Sequence, residues 1–168
     1  MNFMTINNCD LVNTLKGVAV SWWVSGCPHR CEGCFNPETW DRDSGKYYGY
    51  VDAIKLRELV SKKYVQGFSI LGGEPFAPYN IDKVLAEIKS IRALFPEKRI
   101  MVWTGYRLQD IIARYDLSDI DYIIDGQFIK SLSDKKLKLR GSSNQTVWKN
   151  NKEEWIPLTD KEIEEEMK

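Results

Sequence analysis

Three closely spaced cysteines constrain this chain more than any other feature of its sequence. Cys27, Cys31 and Cys34 stand at the spacing C-x3-C-x2-C, directly after the apolar run Val18–Val24, which predicts a buried strand. Thiolates this close together repel one another, so gathering them is unfavourable unless a cation lies between them. The loop therefore predicts a metal centre whose ligands are these three thiolates.

Two kinds of metal centre suit three cysteines, and a third interpretation needs no metal. Iron–sulfur clusters are held by cysteine thiolates, normally one for each iron of a four-iron cluster, so three ligands leave one iron open to a non-protein ligand. A structural zinc ion takes four ligands, for which His29 or Cys9 would be the fourth. No second C-x-x-C pair completes the usual zinc pattern. Unliganded thiols are the remaining alternative.

The remaining cysteine and the only histidine are expected to take no part in the chemistry. Cys9 has no ligand-like spacing from the loop, and we expect it to be a small buried apolar residue. His29 lies between two of the proposed ligands, where closing a small chelate ring is awkward. We expect its side chain to be exposed and not catalytic.

A second motif, Gly72-Gly73-Glu74-Pro75, follows the apolar run 68–71, which predicts another strand. Paired glycines at a strand end permit positive φ angles and a close approach of the backbone to a ligand. The carboxylate of Glu74 is an acceptor suited to an ammonium group. Alone the motif most simply predicts a turn, but its position about forty residues after the cysteine loop favours a binding role.

Strands and helices are predicted to alternate through the middle of the chain. Asp52 and Asn80 are expected to cap two helices, the first of them ending near Gly67. Further strands are predicted over 99–103 and 121–124, with a helix between them. This alternation implies parallel βαβ units with right-handed crossovers. We therefore expect an α/β fold, a partial (truncated) βα barrel with mostly parallel strands.

The motifs with chemical potential all fall at the carboxyl ends of predicted strands, where ligands collect in folds of this kind. They occupy 27–34, 72–75, 104–106 and 125–128. The sequence therefore predicts one site at this edge of the sheet.

Composition excludes several other classes of function. The chain has 168 residues, 43% of them hydrophobic, which is enough for one domain with a sizeable core. Its 24 basic residues balance 24 acidic ones, so no excess of positive charge indicates a nucleic-acid partner. No apolar run is long enough for a membrane span, and no secretory signal is recognisable. Clustered cysteines without such a signal predict a cytoplasmic location.

The two motifs together resemble those of the radical S-adenosylmethionine (SAM) enzymes. In that family the cysteine loop holds a [4Fe–4S] cluster, and the Gly-Gly-Glu-Pro turn receives the amino group of SAM. The resemblance implies that Cys27, Cys31 and Cys34 bind the cluster and that SAM completes its open iron. An electron passed through the cluster then cleaves the sulfonium, and the resulting 5′-deoxyadenosyl radical abstracts a hydrogen atom. No catalytic acid or base is required beyond cluster and SAM.

Further motifs narrow the resemblance to the radical SAM glycyl-radical activases, specifically to those that act on anaerobic (class III) ribonucleotide reductase. The similarity covers residues 9–147 and rests on three motifs: Val102-Trp103-Thr104-Gly105-Tyr106, Asp125-Gly126-Gln127-Phe128 and Arg140-Gly141-Ser142-Ser143-Asn144-Gln145. It implies an oxidoreductase that generates a glycyl radical on the large subunit of the reductase. It also implies an electron donor of the flavodoxin or ferredoxin type.

The resemblance assigns expected roles to residues around the cysteines. Trp103 is expected to form a wall of the cavity, and Asp125 to hold a ribose hydroxyl or a monovalent cation, or only to cap the next turn. The residues expected to bind the cofactors are Gly33, Cys34, Phe35, Gly72, Gly73, Glu74, Pro75, Thr104 and Asp125. Those expected in a loop near the active site or the partner are Arg140, Ser142, Asn144 and Gln145.

The sequence departs from the family pattern at two places. Gly33 precedes the third cysteine, where an aromatic residue is usual, and the stretch 13–17 lacks the Gly-Pro-Gly of related activases. Two rival functions therefore stay open: a small-molecule radical SAM enzyme such as a 7-carboxy-7-deazaguanine synthase, and a zinc-stabilised binding module.

The end of the chain is predicted to be a small appendix to a single domain. We expect one radical SAM domain over 1–168, with its core at about 9–147 and an extension over 148–168. Thr159 and Glu162 form a capping-box pattern that would start a short helix. A frayed, solvated tail is nevertheless the favoured expectation.

Overall fold

The computed structural model describes all 168 residues and contains one eight-stranded sheet. The strands run in the order β3-β1-β2-β4-β5-β6-β7-β8. Their bounds are β1 Asn2–Asp10, β2 Val18–Val24, β3 Lys46–Tyr47, β4 Val65–Gly72, β5 Arg99–Trp103, β6 Tyr122–Asp125, β7 Thr146–Asn150 and β8 Trp155–Pro157. The helices are α1 Tyr50–Val60, α2 Ile81–Leu94, α3 Leu108–Ile112 and α4 Asp160–Glu166. Short 3₁₀ turns occupy Pro37–Thr39 and Lys130–Leu132.

The four central strands, β2, β4, β5 and β6, are parallel neighbours, and antiparallel strands flank them on both sides. This confirms a mixed α/β fold with mostly parallel central strands. The carboxyl ends of the four parallel strands lie along one edge of the sheet, because neighbouring parallel strands point the same way. That edge carries all four predicted motifs.

Apolar side chains on one face of the sheet explain why the central strands form. Trp22 in β2, Phe68 in β4 and Ile123 in β6 are fully buried in the larger core cluster. The apolar stripe of α2 packs against the same core, and Ile88 and Ile91 are among its fully buried residues. The predicted α2 and β5 are confirmed.

The amino-terminal segment corrects one prediction. Residues 5–13 read as a polar lead, yet β1 runs over Asn2–Asp10 and pairs antiparallel with β2. Only Phe3 and Asp10 of the strand are buried, so its alternation of polar and apolar residues is too weak to recognise. Cys9 is exposed on this strand, so the expectation of a buried cysteine was wrong.

The predicted helix caps also need correction. Helix α1 begins after Gly49, and Asp52 accepts the Gly49 N–H at 3.1 Å from inside the first turn. It ends at Val60 and not near Gly67 as predicted. Gly67 instead belongs to β4, where a Cβ would lie 3.3 Å from the carbonyl oxygen of Arg99. Asn80 stands at the cap position of α2 without a capping hydrogen bond.

The carboxyl-terminal part is more ordered than predicted. Strands β7 and β8 were missed, and α4 docks on the sheet with Ile163 fully buried beside Val147. The capping box of Thr159 and Glu162 is confirmed, and the frayed tail was wrong because a single buried isoleucine leaves no periodic signal. No helix in the chain combines the length and apolar character that a membrane crossing needs.

Candidate metal centre and cofactor cavity

A cavity of about 540 Å³ opens at the carboxyl ends of the parallel strands. Residues from all four strand ends line it. They include Cys27, Cys31 and Cys34 after β2, Gly72 to Glu74 at the end of β4, Thr104 after β5, and Gln127 after β6. The structure therefore brings the cysteine loop and the Gly-Gly-Glu turn to one cavity, although about forty residues separate them.

The cysteine loop, defined here as residues 25–36, is anchored at its base. The Gly26 N–H donates to the Thr39 carbonyl at 2.7 Å, and the Cys27 N–H donates to the Trp40 carbonyl at 3.0 Å. The amide of Asn80 holds the same base by donating to the Ser25 carbonyl at 2.9 Å and the Glu74 carbonyl at 3.0 Å. Asn80 thus joins the loop to the turn after β4.

Burial makes the thiols poor anions in the absence of a cation. It raises the pKa of Cys27 to about 11, and the nearby carboxylate of Glu74 adds to the rise. The pKa of Cys31 is raised as well, by burial and by the neighbouring Cys34. Metal binding draws such protons off, so the donor set suits a group with strong affinity for thiolates.

The cavity lining supplies three cysteines, and Cys9 is not among them. A structural zinc ion would need a fourth protein ligand, whereas a four-iron cluster can be held by one thiolate on each of three irons. Both ring nitrogens of His29 have hydrogen-bond partners, and Cys9 lies on β1, so neither is placed as a fourth ligand.

The side chain of Glu74 has four hydrogen-bond partners at the cavity. Its Oε1 accepts from the Phe76 N–H at 2.9 Å and from the Thr104 hydroxyl at 2.8 Å. Its Oε2 accepts from the Gly105 N–H at 2.7 Å and contacts His29 Nε2 at 2.9 Å. A carboxylate has about four lone-pair positions, so all of those of Glu74 are used within the chain.

His29 corrects another prediction, because its side chain is only 8% exposed. Besides Glu74, the ring contacts Gln127 Nε2 through Nδ1 at 3.0 Å. Sequence reasoning missed this because the partners follow two other strands, 45 and 98 residues away.

Asp125 lies outside the cavity lining. Its carboxylate is 1% exposed and accepts the N–H of Leu108, the first residue of α3, at 2.8 Å. The guanidinium of Arg107 stands 3.6 Å from its other oxygen. The structure thus places this strand-end carboxylate at the start of α3, the helix that precedes β6 in the chain, and not at the turn that follows the strand.

Some of the other predicted residues line the cavity and some support it from behind. Phe35, Arg140 and Gln145 reach the lining, whereas Gly33, Pro75, Ser142 and Asn144 do not. Gln145 accepts from the Gly141 N–H at 2.9 Å and donates to the Gly126 carbonyl at 2.8 Å. Asn144 donates to the Gln127 carbonyl at 2.8 Å and Ser142 accepts from the Ile129 N–H at 3.1 Å. The polar loop therefore fixes the segment that leaves β6.

Apolar walls complete the cavity, and most of them were not predicted. Trp103 forms a wall as expected, and its indole N–H donates to the Leu139 carbonyl at 2.7 Å. Leu137 and Leu139 project from a lysine-rich segment, where isolated leucines were the available signal. The rings of Phe35 and Phe128 lie 5.2 Å apart at the opening.

A second cavity of similar volume lies at the opposite ends of β4, β5 and β6. Its buried cation, Lys98, donates to the carbonyls of Val65 and Lys62 at 2.5 and 3.2 Å. Arg92 donates there to Asp121 and to three main-chain carbonyls. These cations hold the chain together and leave the cysteine cavity as the candidate site.

Comparison with known proteins identifies the family of this chain. A family model described as a 4Fe-4S single cluster domain matches residues 15–148. The chain is 41% identical over 155 residues to the anaerobic ribonucleoside-triphosphate reductase-activating protein of Enterobacteria phage T4, covering 92% of this chain and 98% of that protein. The protein of the same name from Escherichia coli strain K12 is 39% identical over 153 residues, covering 88% and 97%.

The similarity extends to more distant relatives. The protein of that name from Haemophilus influenzae is 33% identical over 151 residues, covering 88% of this chain and 97% of its own. No solved structure matches the chain. Because these relatives align over nearly their whole length, the chain belongs to the family of anaerobic ribonucleoside-triphosphate reductase-activating proteins, with a 4Fe-4S single cluster domain.

Proposed function

We propose that this protein is a radical SAM enzyme that reductively cleaves S-adenosylmethionine at a [4Fe–4S] cluster and generates a glycyl radical on an anaerobic ribonucleotide reductase. The observation that carries the proposal is the meeting of the three cysteines and the Gly72-Gly73-Glu74 turn at one cavity. Membership of the activating-protein family supports the choice of reductase as partner, since the names of the relatives identify it as their target.

The donor set of the cavity suits both cofactors. Cys27, Cys31 and Cys34 would hold three irons and leave the fourth open, because no other cysteine lines the cavity. The backbone of Gly72 and Gly73 would lie against the amino-acid end of SAM. A Cβ at Gly73 would lie 2.4 Å from the Gly26 carbonyl oxygen, so the turn packs directly on the base of the cysteine loop.

Glu74 would act mainly by fixing the shape of this turn. Its four hydrogen bonds hold the end of β4 to the loop after β5 and to the cysteine loop. Thr104 contributes through its hydroxyl, which donates to Glu74 and accepts the Tyr106 N–H at 3.1 Å. Rigid support of this kind keeps a binding site in its productive geometry.

When bound, the cluster and SAM supply the one-electron chemistry that removes a hydrogen atom from a glycine of the partner. The chain itself excludes water from that reaction: Trp103, Leu71 and Leu139 surround the cavity with apolar surface. Phe35 is 69% exposed at the opening, where a macromolecular partner would approach. The proposed barrel would be truncated there, which leaves room for a protein substrate.

The remaining parts of the proposal concern its surroundings. Four free cysteines suit a reducing cytoplasm, where iron–sulfur clusters and low-potential carriers operate. We place the protein there, with a flavodoxin or ferredoxin as its electron donor. The large subunit of the reductase is the substrate, and neither nucleic acid nor membrane is expected to bind.

The decisive experiment is an anaerobic activation assay. Protein reconstituted with iron and sulfide is reduced with dithionite and mixed with SAM, with or without a class III reductase. We expect chromatography to detect 5′-deoxyadenosine. We expect electron paramagnetic resonance (EPR) to show a glycyl-radical doublet, and this signal should appear only when the reductase is present.

Other outcomes of the same assay would point elsewhere. Cleavage of SAM without any radical on the reductase would move the assignment to a small-molecule enzyme such as a 7-carboxy-7-deazaguanine synthase. A colourless protein that retains zinc and is inert to SAM would contradict the proposal and favour a zinc-stabilised binding module.

A further inference from the structure

The ring of His29 occupies a place built by three of the four parallel strands. We call this the His29 seat and define it as Glu74 after β4, Gly105 and Tyr106 after β5, and Gln127 after β6. The cysteine loop after β2 thus places the His29 ring against the segments that follow β4, β5 and β6. A residue that was expected to be exposed instead contacts segments that follow three other strands.

Shape as well as polarity selects a ring at this position. A Cβ at Gly105 would lie 2.4 Å from the His29 ring, so only glycine leaves the ring its space. The ring of Tyr106 meets it edge-on with the centroids 4.6 Å apart. Interactions of this kind between aromatic rings add to the burial of their surface.

Both ring nitrogens of His29 have partners of their own. Nδ1 lies 3.0 Å from Gln127 Nε2, and Nε2 lies 2.9 Å from Glu74 Oε2. One imidazole thus joins the segment after β6 to the turn after β4.

Residues 29–33 of the cysteine loop have few attachments to the rest of the chain besides those of His29. No main-chain N–H of residues 29–33 donates to another main-chain group. The ion pair of Glu32 with Lys130 spans 3.0 Å, but Glu32 is 83% exposed, and exposed pairs contribute little. The middle of the loop therefore depends on His29.

We propose that His29 is a positioning residue that holds the cysteine loop against the ends of β4, β5 and β6 before any metal is bound. Its importance for the cluster and SAM rests on the proposed function, but its effect on the order of the loop does not. Losing it would loosen the segment between Cys27 and Cys34, while the Cys27 N–H would still hold the base of the loop, and would loosen Glu74 at the same time.

The test is hydrogen–deuterium exchange on the metal-free protein. For His29→Ala we expect the hydrogen-bonded amides of Cys34 and Gly105 to exchange ~10-fold faster, the size that loss of a buried hydrogen bond to a charged group implies. His29→Gln, which keeps a donor and an acceptor, should recover most of the protection. Amides of α2 serve as the control and should not change.

Gly105→Ala provides an independent perturbation, because it displaces the ring without altering His29 itself. We expect it to reproduce the faster exchange, with little further effect when combined with His29→Ala. If loop exchange is unchanged in both variants, the proposal is wrong. If His29→Ala does not fold, the other two variants decide. Faster loop exchange in Gly105→Ala, with most of the protection kept in His29→Gln, supports the proposal, and unchanged loop exchange in Gly105→Ala contradicts it.

A kinetic measurement separates positioning from chemistry. In reconstituted protein, His29→Ala should raise the KM for SAM more than it lowers kcat, and His29→Gln should restore the KM. If both variants lose kcat to the same extent and the KM for SAM is unchanged, the proposal is wrong. Because the exchange assay needs neither cluster, SAM nor reductase, its result stands apart from the success or failure of the proposed activity.

Discussion

Single residues at the cavity have separable roles that substitution can distinguish. Cys27, Cys31 and Cys34 line it, whereas Cys9 lies exposed on β1. Replacing any loop cysteine with alanine should weaken retention of iron against a chelator at least ~10-fold, since the loss even of residues that only support a metal ligand typically has that effect. Cys9→Ala should retain iron and the absorbance of the cluster as well as the unaltered protein. Equal retention in all four variants would contradict the assignment of the ligands.

Asp125 provides a second prediction at this scale, because its contacts indicate a helix cap rather than a cofactor ligand. Asp125→Ala leaves the Leu108 N–H without a partner and should lower the free energy of unfolding by about 1–2 kcal/mol. Urea denaturation would measure this, and the KM for SAM of the reconstituted protein should stay within about twofold of the original. A large rise in KM with little change in stability would show that Asp125 serves the cofactor instead.

Sequence reasoning succeeded or failed at single residues for identifiable reasons. The cysteines and the Gly72-Gly73-Glu74 turn were found because their chemistry is visible in short motifs. The burial of His29 could not be foreseen, since it depends on the space above Gly105 and on an amide that comes from 98 residues further along the chain. Tertiary contacts of this kind leave no local pattern.

Among the elements, the short terminal helix α4 is held by a partly exposed ionic group. Glu166 accepts the Tyr122 hydroxyl at 3.0 Å and pairs with Lys149. Burial alone would raise the pKa of Glu166, but the hydrogen bonds from Lys149 and Tyr122 outweigh it, so the pKa lies below its usual value. This carboxylate therefore stabilises the fold when it is ionised.

The sign of this effect fixes its dependence on pH. Because the folded-state pKa is lowered, the stabilisation is present above the unfolded pKa and disappears as pH falls through the folded one. Glu166→Gln should lower the free energy of unfolding by about 1 kcal/mol at pH 7, a value reduced by solvent screening of a partly exposed pair. The two proteins should converge as the pH falls below the folded-state pKa of Glu166, where its side chain is as neutral as that of glutamine. A difference that persists or grows in acid would contradict the interpretation.

Elements differed in how well the sequence predicted them. Strand β5 and helix α2 were predicted because apolar residues recur with a clear period and Pro96 ends the helix. Strand β1 was missed because only two of its residues are buried, and the docking of α4 was missed because Ile163 is its only buried residue. Antiparallel strands and short helices at the flanks carry weaker patterns than buried parallel strands do.

On the scale of the whole molecule, the parallel strands bring separate motifs to one edge of the sheet. Their carboxyl ends carry the cysteine loop, the Gly-Gly-Glu turn, Thr104 with Gly105, and Gln127. Alternation of strands and helices predicted this convergence from the sequence, but the hydrogen bonds that join the motifs, including those of Asn80 and Glu74, became visible only in the structure.

In the proposed function, these motifs form one site. There, a cluster held by three cysteines keeps one iron open for SAM. The most direct measurement is the EPR spectrum of the dithionite-reduced, reconstituted protein before and after addition of SAM. We predict a [4Fe–4S]⁺ signal whose g values shift on addition of SAM in the unaltered chain and in Cys9→Ala. A cluster signal that SAM leaves unchanged, or a cluster that requires Cys9, would contradict the account.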